Sequence, residues 1–288
     1  MPWTNYHGHC YYCDGKFSPE AYVEKALELQ MPAIGFSSHC PFEGAHAWNM
    51  KMPQLSDYLA EINVLKEKYS ADIEIYVGLE MDYIPGVISN NSKHIQEADL
   101  DYVIGSMHYT GIFEDGRFCE IDGAHSKFLE GLHHIYKNDV QKMITHYFEL
   151  MREMIEVGGT DVLGHLDKVK IQAEQGILFS EFEDWYRTQV SETLELLAEK
   201  GTILEVNTRG IYKKKTVDTY PSKWILELAK EMDIDIMLNA DAHHPDELNA
   251  VYKSTAKQLK GIGFETLQVL KNGRWQALPF TENGIEWN

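Results

Sequence analysis

Cysteine is scarce in this sequence: four residues in 288, at Cys10, Cys13, Cys40 and Cys119. That is too few for a disulfide-stapled scaffold. Cys10 and Cys13 form a C-x-x-C with no second pair to complete a structural zinc site, and they read as incidental thiols. Basic residues are also in deficit, 26 Lys and Arg against 45 Asp and Glu, a formal charge of −19. Such a surface repels phosphate backbones and anionic lipid, so nucleic-acid and membrane partners are not expected. No window approaches the roughly 18 apolar residues that span a bilayer. The opening Met1-Pro2-Trp3-Thr4-Asn5-Tyr6 has no basic region followed by an apolar run, so no secretory leader is visible and a soluble, cytoplasmic protein is expected. Linker-like, low-complexity and repeated segments are lacking too, which favours one domain over residues 1–288.

What the sequence does contain is 44 % hydrophobic and 11 % aromatic residues, enough for a sizeable core, together with 13 histidines. Strand-like and helix-like runs alternate along it. Ser18-Pro19-Glu20 reads as a helix start with Ser18 as cap. Ala33 to Ser37 reads as a strand, Leu55 to Leu65 as an amphipathic helix, and Ile73 to Leu79 as a strand ending at Glu80. Tyr102 to Met107 is a strand, about 138–157 a helix, and Val162-Leu163-Gly164 a strand. Phe182, Trp185, Leu194 and Leu197 lie on a helix that stops near Gly201. Thr202 to Val206 and Ile234 to Leu238 are strands flanking a helix that carries Ile225, Leu228, Ala229 and Met232. A helix near 251–260 and strands near 266–278 repeat the pattern more weakly. The segment from about 109 to 135 is the longest without periodicity and reads as a functional loop. The alternation predicts a parallel sheet covered by helices.

Polar residues stand at the strand ends. His7 and His9, His39, Glu80, His108, His165, Asn207, and Asp241 with His243 each sit at, or just past, the C-terminal end of an expected strand. In a closed parallel barrel those ends converge on one face. Seven ends are counted, not eight, in an α/β fold whose strand ends meet best if its parallel sheet closes. The rival Rossmann sheet lacks its G-x-G-x-x-G after the first strand. Neutral imidazole and carboxylate are ligands for zinc, iron and manganese. On an extended strand the alternating His7 and His9 point to one side. Six imidazoles with Asp14, Glu80 and Asp241 exceed what one ion needs, and Glu80, with two oxygens, is the natural bridge between two ions.

His7-Gly8-His9 with Asp14, Gly35-Phe36-Ser37-Ser38-His39, Gly78-Leu79-Glu80, Gly105-Ser106-Met107-His108, Gly164-His165 and Asp241-Ala242-His243 resemble the successive motifs of the PHP (polymerase and histidinol phosphatase) family. Within it the chain is most similar to the stand-alone histidinol-phosphate phosphatases, through His39-Cys40-Pro41-Phe42 and an insertion around Arg117. The resemblance implies a distorted (β/α)7 barrel with a trinuclear centre of two or three divalent ions (zinc, manganese or iron). It implies one metal on His7, His9, Glu80 and Asp241; a second on Glu80, His108 and His165; and a third on Asp14, His39 and His243. The implied activity is hydrolysis of L-histidinol phosphate to L-histidinol and phosphate, a step of histidine biosynthesis, by a hydroxide bridging the two Glu80-linked metals.

A small phosphate ester as partner needs positive charge beyond the metals, and Arg suits it because its planar fork binds phosphate oxygens in pairs. Arg209 follows the sixth strand, Arg117 lies in the long loop, and Lys213 opens a Lys-Lys-Lys run. Asn207, Tyr109 and Phe42 are candidates for the organic half of the pocket, whereas Trp48 reads as packing. Glu80, Asp241, His243 and Arg209 are the expected catalytic residues, Asp241 and His243 lying where a leaving alkoxide needs a proton. His46, His94, His125, His133, His134 and His146 read as surface residues, and His244 as a non-ligand. The rival functions are another PHP phosphoesterase acting on a different small ester or nucleotide, an amidohydrolase-like hydrolase, and a non-catalytic metal-binding barrel. Against the amidohydrolase stand Glu80 as the bridge and His108 at the fourth strand end, where that chemistry commonly has a lysine.

Overall fold

The computed structural model describes residues 1–173 and 176–287. Six parallel strands lie side by side in chain order: Ala33–Phe36, Glu74–Asp82, Tyr102–Ser106, Val162–Leu163, Ile203–Asn207 and Ile236–Asn239. Almost every residue in them is buried. That is why they read in the sequence as continuous apolar runs rather than alternating ones.

The two edges of this sheet are joined through the N-terminal segment. Asn5 pairs in parallel with Ile34, and Gly8 with Ala242. On one side Gly35 N donates to Asn5 O at 2.8 Å and Ser37 N to Gly8 O at 2.9 Å. On the other, His9 N donates to Ala242 O at 2.8 Å and Ala242 N to His7 O at 3.0 Å. Seven segments therefore curl into a TIM-like barrel with the expected (β/α)7 succession.

The helices follow from their apolar stripes. Leu55–Lys68 buries Leu55, Tyr58, Ile62 and Leu65, three and four positions apart. Val140–Val157 begins at Asp139, whose carboxylate accepts from Lys142 N at 2.9 Å. Asp184–Lys200 ends at Gly201 with φ +69°, a left-handed stop that glycine adopts without strain. Among the described residues, no helix is long and apolar enough to cross a membrane.

Several sequence expectations are corrected. Helix Pro19–Glu28 starts with proline as expected, but the Ser18 side chain makes no capping hydrogen bond. The second strand runs on through Glu80 to Asp82. Phe182 lies before its helix and is exposed. The segment 109–135 is not a loop: it holds a hairpin, Tyr109–Ile112 with Phe118–Glu120, and the helix His125–His134. The tail does not repeat the parallel pattern. Thr266–Lys271, Arg274–Thr281 and Gly284–Ile285 form a separate antiparallel sheet.

That antiparallel sheet packs against the barrel. Tyr6 Oη donates to Leu270 O at 2.9 Å, and Trp275 packs edge-on against Tyr6 and Tyr102. The Tyr102 ring occupies the barrel interior beside two glycines. A Cβ at Gly35 would lie 2.4 Å from its hydroxyl, and one at Gly78 would lie 2.7 Å from its ring. Glycine at these positions is a packing requirement.

Candidate metal centre

The strand order brings all nine donor residues expected from the sequence to one end of the barrel. Eight are buried; Asp14 is half-buried on the turn after His9. Glu80 stands at the middle of the cluster. Its Oε2 lies 3.4 Å from His7 Nε2, 3.5 Å from His9 Nε2 and 2.7 Å from His39 Nδ1. Its Oε1 lies 2.9 Å from His165 Nε2 and 3.5 Å from His108 Nε2. The two oxygens of one carboxylate thus face two different groups of imidazoles. Asp241 Oδ1 lies 3.3 Å from His9 Nε2 and 3.4 Å from His243 Nδ1. Asp14 Oδ1 is 3.1 Å from His243 Nε2 and 3.7 Å from His39 Nε2.

Several of these buried atoms have no hydrogen-bond partner: His7 Nε2, His9 Nε2, Asp14 Oδ1, His39 Nδ1 and Glu80 Oε2. Buried polar atoms without partners are costly, about 1–3 kcal/mol each, and here they converge. Three sets have donor atoms within 4.8 Å of one another: His9, Asp14, His39 and His243; His7, His9 and Asp241; and His39, Glu80 and His108. Nitrogen and oxygen donors in such clusters fit divalent metal ions. His9 and His39 each belong to two sets, so the expected one-to-one partition of histidines among three metals is looser than the sequence suggested.

Electrostatics agrees with this arrangement. Burial works against ionised Glu80 and Asp241, yet the neighbouring imidazoles, with Arg209 beside Asp241, hold both carboxyls well below the usual carboxylate range. Burial also opposes the His7 imidazolium, but Glu205, Asp241 and Glu80 raise it well above an ordinary histidine. His9 goes the other way, lowered by burial and by His243 and His39. The backbone of Asp241 has φ +54°, uncommon for a non-glycine residue. Its carbonyl is held there by Arg209 Nη1 at 2.7 Å and Tyr212 Oη at 3.1 Å.

A ring of supporting groups was missed in the sequence. Glu205 Oε1 meets His7 Nδ1 at 2.6 Å, and its Oε2 accepts from His165 N at 3.0 Å. Asp82 Oδ1 meets His108 Nδ1 at 2.7 Å. Cys13, read as an incidental thiol, places Sγ 3.5 Å from His9 Nδ1. Carboxylates behind metal-binding histidines fix the ring and tautomer. The signal was present: Glu205 inside an apolar strand and Asp82 at the end of one are acids two positions from Asn207 and Glu80, and so on the same side.

Beside the donors lies a cavity of about 220 Å³ lined by Asp14, His39, Trp48, His108, Glu120, Asp122, Gly123, Lys168, Arg209, Lys215, Tyr220, Asp241 and His243. Of the expected substrate contacts, only Arg209 lines it. Arg117 is exposed and engaged by Asp115 at 2.8 Å and Glu130 at 2.9 Å, over the Phe113 ring. Lys213 pairs with Glu247; Lys215 of the same run lines the cavity instead. Asn207 is buried beneath the donors, bonding Glu205 at 3.0 Å and Asp241 at 3.2 Å. Tyr109 and Phe42 are buried behind the wall, in contact with each other, and Tyr109 stacks on Trp48 with centroids 5.8 Å apart. Trp48, read as packing, forms that wall and meets His39 edge-on at 4.5 Å. His46, read as a surface residue, pairs with Glu120 at the cavity edge. Lys168, also missed, is buried with Nζ 3.0 Å from Asp122 Oδ2. Burial disfavours its ammonium, but Asp122, Asp241 and Glu80 outweigh that and raise its pKa.

With this geometry in view, known proteins supply a comparison. The sequence model of the PHP domain matches residues 5–209. A Deinococcus radiodurans protein named "Probable histidinol-phosphatase" is 28 % identical over 254 residues, covering 87 % of this chain and 89 % of that one. The histidinol-phosphatase of Bacillus subtilis is 25 % identical over 247 residues, 81 % of this chain and 90 % of its own. Among solved structures, histidinol phosphate phosphatase from Lactococcus lactis, in complex with zinc, L-histidinol and phosphate, superposes with a TM-score of 0.68 at 22 % identity, covering 99 % of this chain and 98 % of that one.

Proposed function

The chain belongs to the PHP domain family, and from that premise we propose that it is a metal-dependent phosphomonoesterase hydrolysing L-histidinol phosphate to L-histidinol and inorganic phosphate. The observation that carries this reading is the Glu80 carboxylate, whose two oxygens face separate imidazole groups beside a cavity with cations on its wall. His7, His9, Asp241 and Glu80 would hold one ion, Glu80 also with His108 and His165 a second, and Asp14, His39 and His243 a third. The ions would be two or three in number and zinc, manganese or iron in kind. Bound there, they supply positive charge to the phosphoryl oxygens and lower the pKa of water, making a nucleophile available near neutral pH.

The chain's own residues do the rest. Arg209 and Lys215 bring positive charge to the wall that receives the phosphate, and Arg209 also pins the backbone of Asp241. Glu120, held by His46, offers a carboxylate to a cationic amine or imidazolium, and Trp48 offers a flat apolar face. A cavity with cationic and anionic walls fits a small ester carrying both a phosphate and an ammonium. It does not fit a polyanion. Asp241 is held ionised and so is ill suited to donate a proton to the leaving alkoxide.

The test is metal content of the purified protein together with phosphate release from histidinol phosphate and from a panel of nucleotides and sugar phosphates. Two or three ions per chain with preferential turnover of histidinol phosphate is the expected result. Turnover of nucleotides without histidinol phosphate would overturn the substrate assignment.

A further inference from the structure

Lys168, Arg209 and Lys215 are the lysine and arginine side chains on the cavity wall. Lys168 faces Asp122 at 3.0 Å and Arg209 faces Glu247 at 3.7 Å. Among the described residues no carboxylate pairs with Lys215, so its charge is the one that a phosphate does not have to share. A lysine stem is long and flexible. Whether its ammonium meets a ligand depends on where its backbone is held.

The segment 213–222, which carries Lys215, is held at both ends. Near its start, Lys215 N and Thr216 N both donate to Gly210 O, at 2.8 and 3.1 Å. The chain folds back so closely there that a Cβ at Gly210 would lie 2.2 Å from Thr216 Oγ1 and 3.0 Å from the Tyr220 ring. Further on, Asn207 N donates to Tyr220 O at 2.7 Å and Tyr220 N to Asn207 O at 3.0 Å. The last anchor comes from a different strand end. Lys170 belongs to the helical turn Lys168–Gln172 that follows His165. Its Nζ donates to Thr219 O at 2.6 Å, to Ser222 Oγ at 2.7 Å and to Asp167 Oδ2 at 2.9 Å. The same Asp167 oxygen accepts from Ser222 N at 2.9 Å. All three donors of the ammonium are thereby used.

Neither Lys170 nor Asp167 lines the cavity, and their side chains are 9 % and 0 % exposed. Desolvation offsets most of what so dry an ion pair gains, so stability alone is a weak reason for it. Its distinctive effect is geometric: it ties the turn after His165 to the segment that carries Lys215.

We propose that Lys170 is a positioning residue: by bonding Asp167, Thr219 and Ser222 it sets the course of the segment 213–222, and so the place from which Lys215 meets the phosphate of the substrate. That role presupposes the phosphate-receiving wall of the proposed function. Lys170 then acts through Lys215, and the effects of removing the two are not independent. A lysine that only held the fold together would act to the same extent whether or not Lys215 was present.

The experiment uses the full-length, zinc-loaded chain as wild type, Lys215→Met, Lys170→Met and the double variant. Zinc content is measured first, and the dissociation constant of inorganic phosphate is then read by titration calorimetry. Lys215→Met should weaken phosphate about tenfold, for the loss of a charge-assisted hydrogen bond. Lys170→Met should weaken it about fivefold with zinc content unchanged, but by less than about 1.5-fold in the Lys215→Met background. Ser222→Ala removes only one of the three acceptors and should weaken phosphate about threefold, with the same dependence on Lys215. That variant carries the test if Lys170→Met does not fold. An equal loss with and without Lys215, a lowered zinc content in Lys170→Met, or wild-type phosphate affinity in the variant that carries the test overturns the proposal. Unchanged phosphate affinity in Lys215→Met removes Lys215 from the phosphate wall, and the role of Lys170 falls with it. If the wild type loads zinc and binds phosphate but does not hydrolyse histidinol phosphate, the substrate reading fails while these binding results still decide the role of Lys170.

Discussion

Oε1 of Glu205 lies 2.6 Å from Nδ1 of His7, a contact between two fully buried side chains 198 positions apart in sequence. It fixes which nitrogen of His7 is free: Nδ1 faces Glu205, and Nε2 faces Glu80 and Asp241. The same carboxylate accepts from the His165 backbone and from Asn207 and Asn239. One acid therefore organises two histidines of the donor cluster at once. Glu205→Gln preserves shape but removes the charge that orients the ring. Metal affinity should fall about 10–100-fold, the usual cost of losing a carboxylate behind a metal-binding histidine. Zinc retained after dialysis against graded chelator checks this, and retention equal to wild type would remove Glu205 from the site.

Glu80 is the only carboxylate among the described residues that contacts His7, His9, His39, His108 and His165 together. Glu80→Gln replaces one of its oxygens with an amide that cannot act as an anionic ligand. Metal content should fall by more than one ion per chain, with loss of at least about a thousandfold in kcat, since both oxygens act in one unit. Loss of a single ion with activity near normal would refute the bridging assignment.

Burial works against a charged His108, but Asp82 and Glu80 outweigh it and lift the ring to about 9. In the stripped protein this raised value contributes stability that is fully present below the unfolded histidine value of about 6.5 and is lost as pH rises through about 9. A metal needs the neutral ring, so binding below that pH must release a proton. Apparent zinc affinity should therefore climb from pH 6 upward, and the part of the climb that His108 contributes should end near pH 9. Calorimetry in buffers of different ionisation enthalpy should find proton release at pH 7 that diminishes above 9. Release independent of pH would contradict the raised ring.

The donors were readable in the sequence for a physical reason. A parallel barrel buries its strands on both faces, so each strand is an apolar run, and the first titratable residue after it marks the active end. His39, His108, His165 and Asp241 all announce themselves in this way. Glu205 and Asp82 do not, because Glu205 lies inside a strand and Asp82 follows an acid that already reads as the strand end; only the two-residue period links them to Asn207 and Glu80. Lys168, Asp122, Glu120 and Trp48 were harder still. They come from short turns and a small hairpin, where no periodicity fixes direction and only the tertiary fold decides what faces the cavity. Arg117 shows the reverse error: a residue of the right chemistry in the right segment, but neutralised by Asp115 and Glu130.

Arginine placement gives a paired test. Arg209 lines the cavity and holds the Asp241 carbonyl; Arg117 does neither. Arg209→Met should raise KM and lower kcat, for a combined loss of about 100-fold in kcat/KM, as expected when a charged donor at a reacting phosphate is removed. Arg117→Met should stay within about threefold of wild type, because an exposed ion pair contributes little. Steady-state kinetics with histidinol phosphate separates the two, and the opposite ranking would place the phosphate elsewhere.

The barrel interior offers a test of the fold that is independent of chemistry. A Cβ at Gly35 would come within 2.4 Å of the Tyr102 hydroxyl and 3.0 Å of its ring. That hydroxyl donates to Tyr6 O, on the segment that closes the barrel. Gly35→Ala should destabilise by about 1–3 kcal/mol through overpacking. Tyr102→Phe alone should cost about 1 kcal/mol for the lost hydrogen bond. Combined, the two should cost less than their sum by more than about 0.5 kcal/mol, since removing the oxygen relieves the shortest clash. The relief is partial, because the ring itself remains close to the new methyl. Urea unfolding of the two single variants and the double variant measures the coupling. Strict additivity would mean that the Tyr102 oxygen does not occupy the space that Gly35 leaves open.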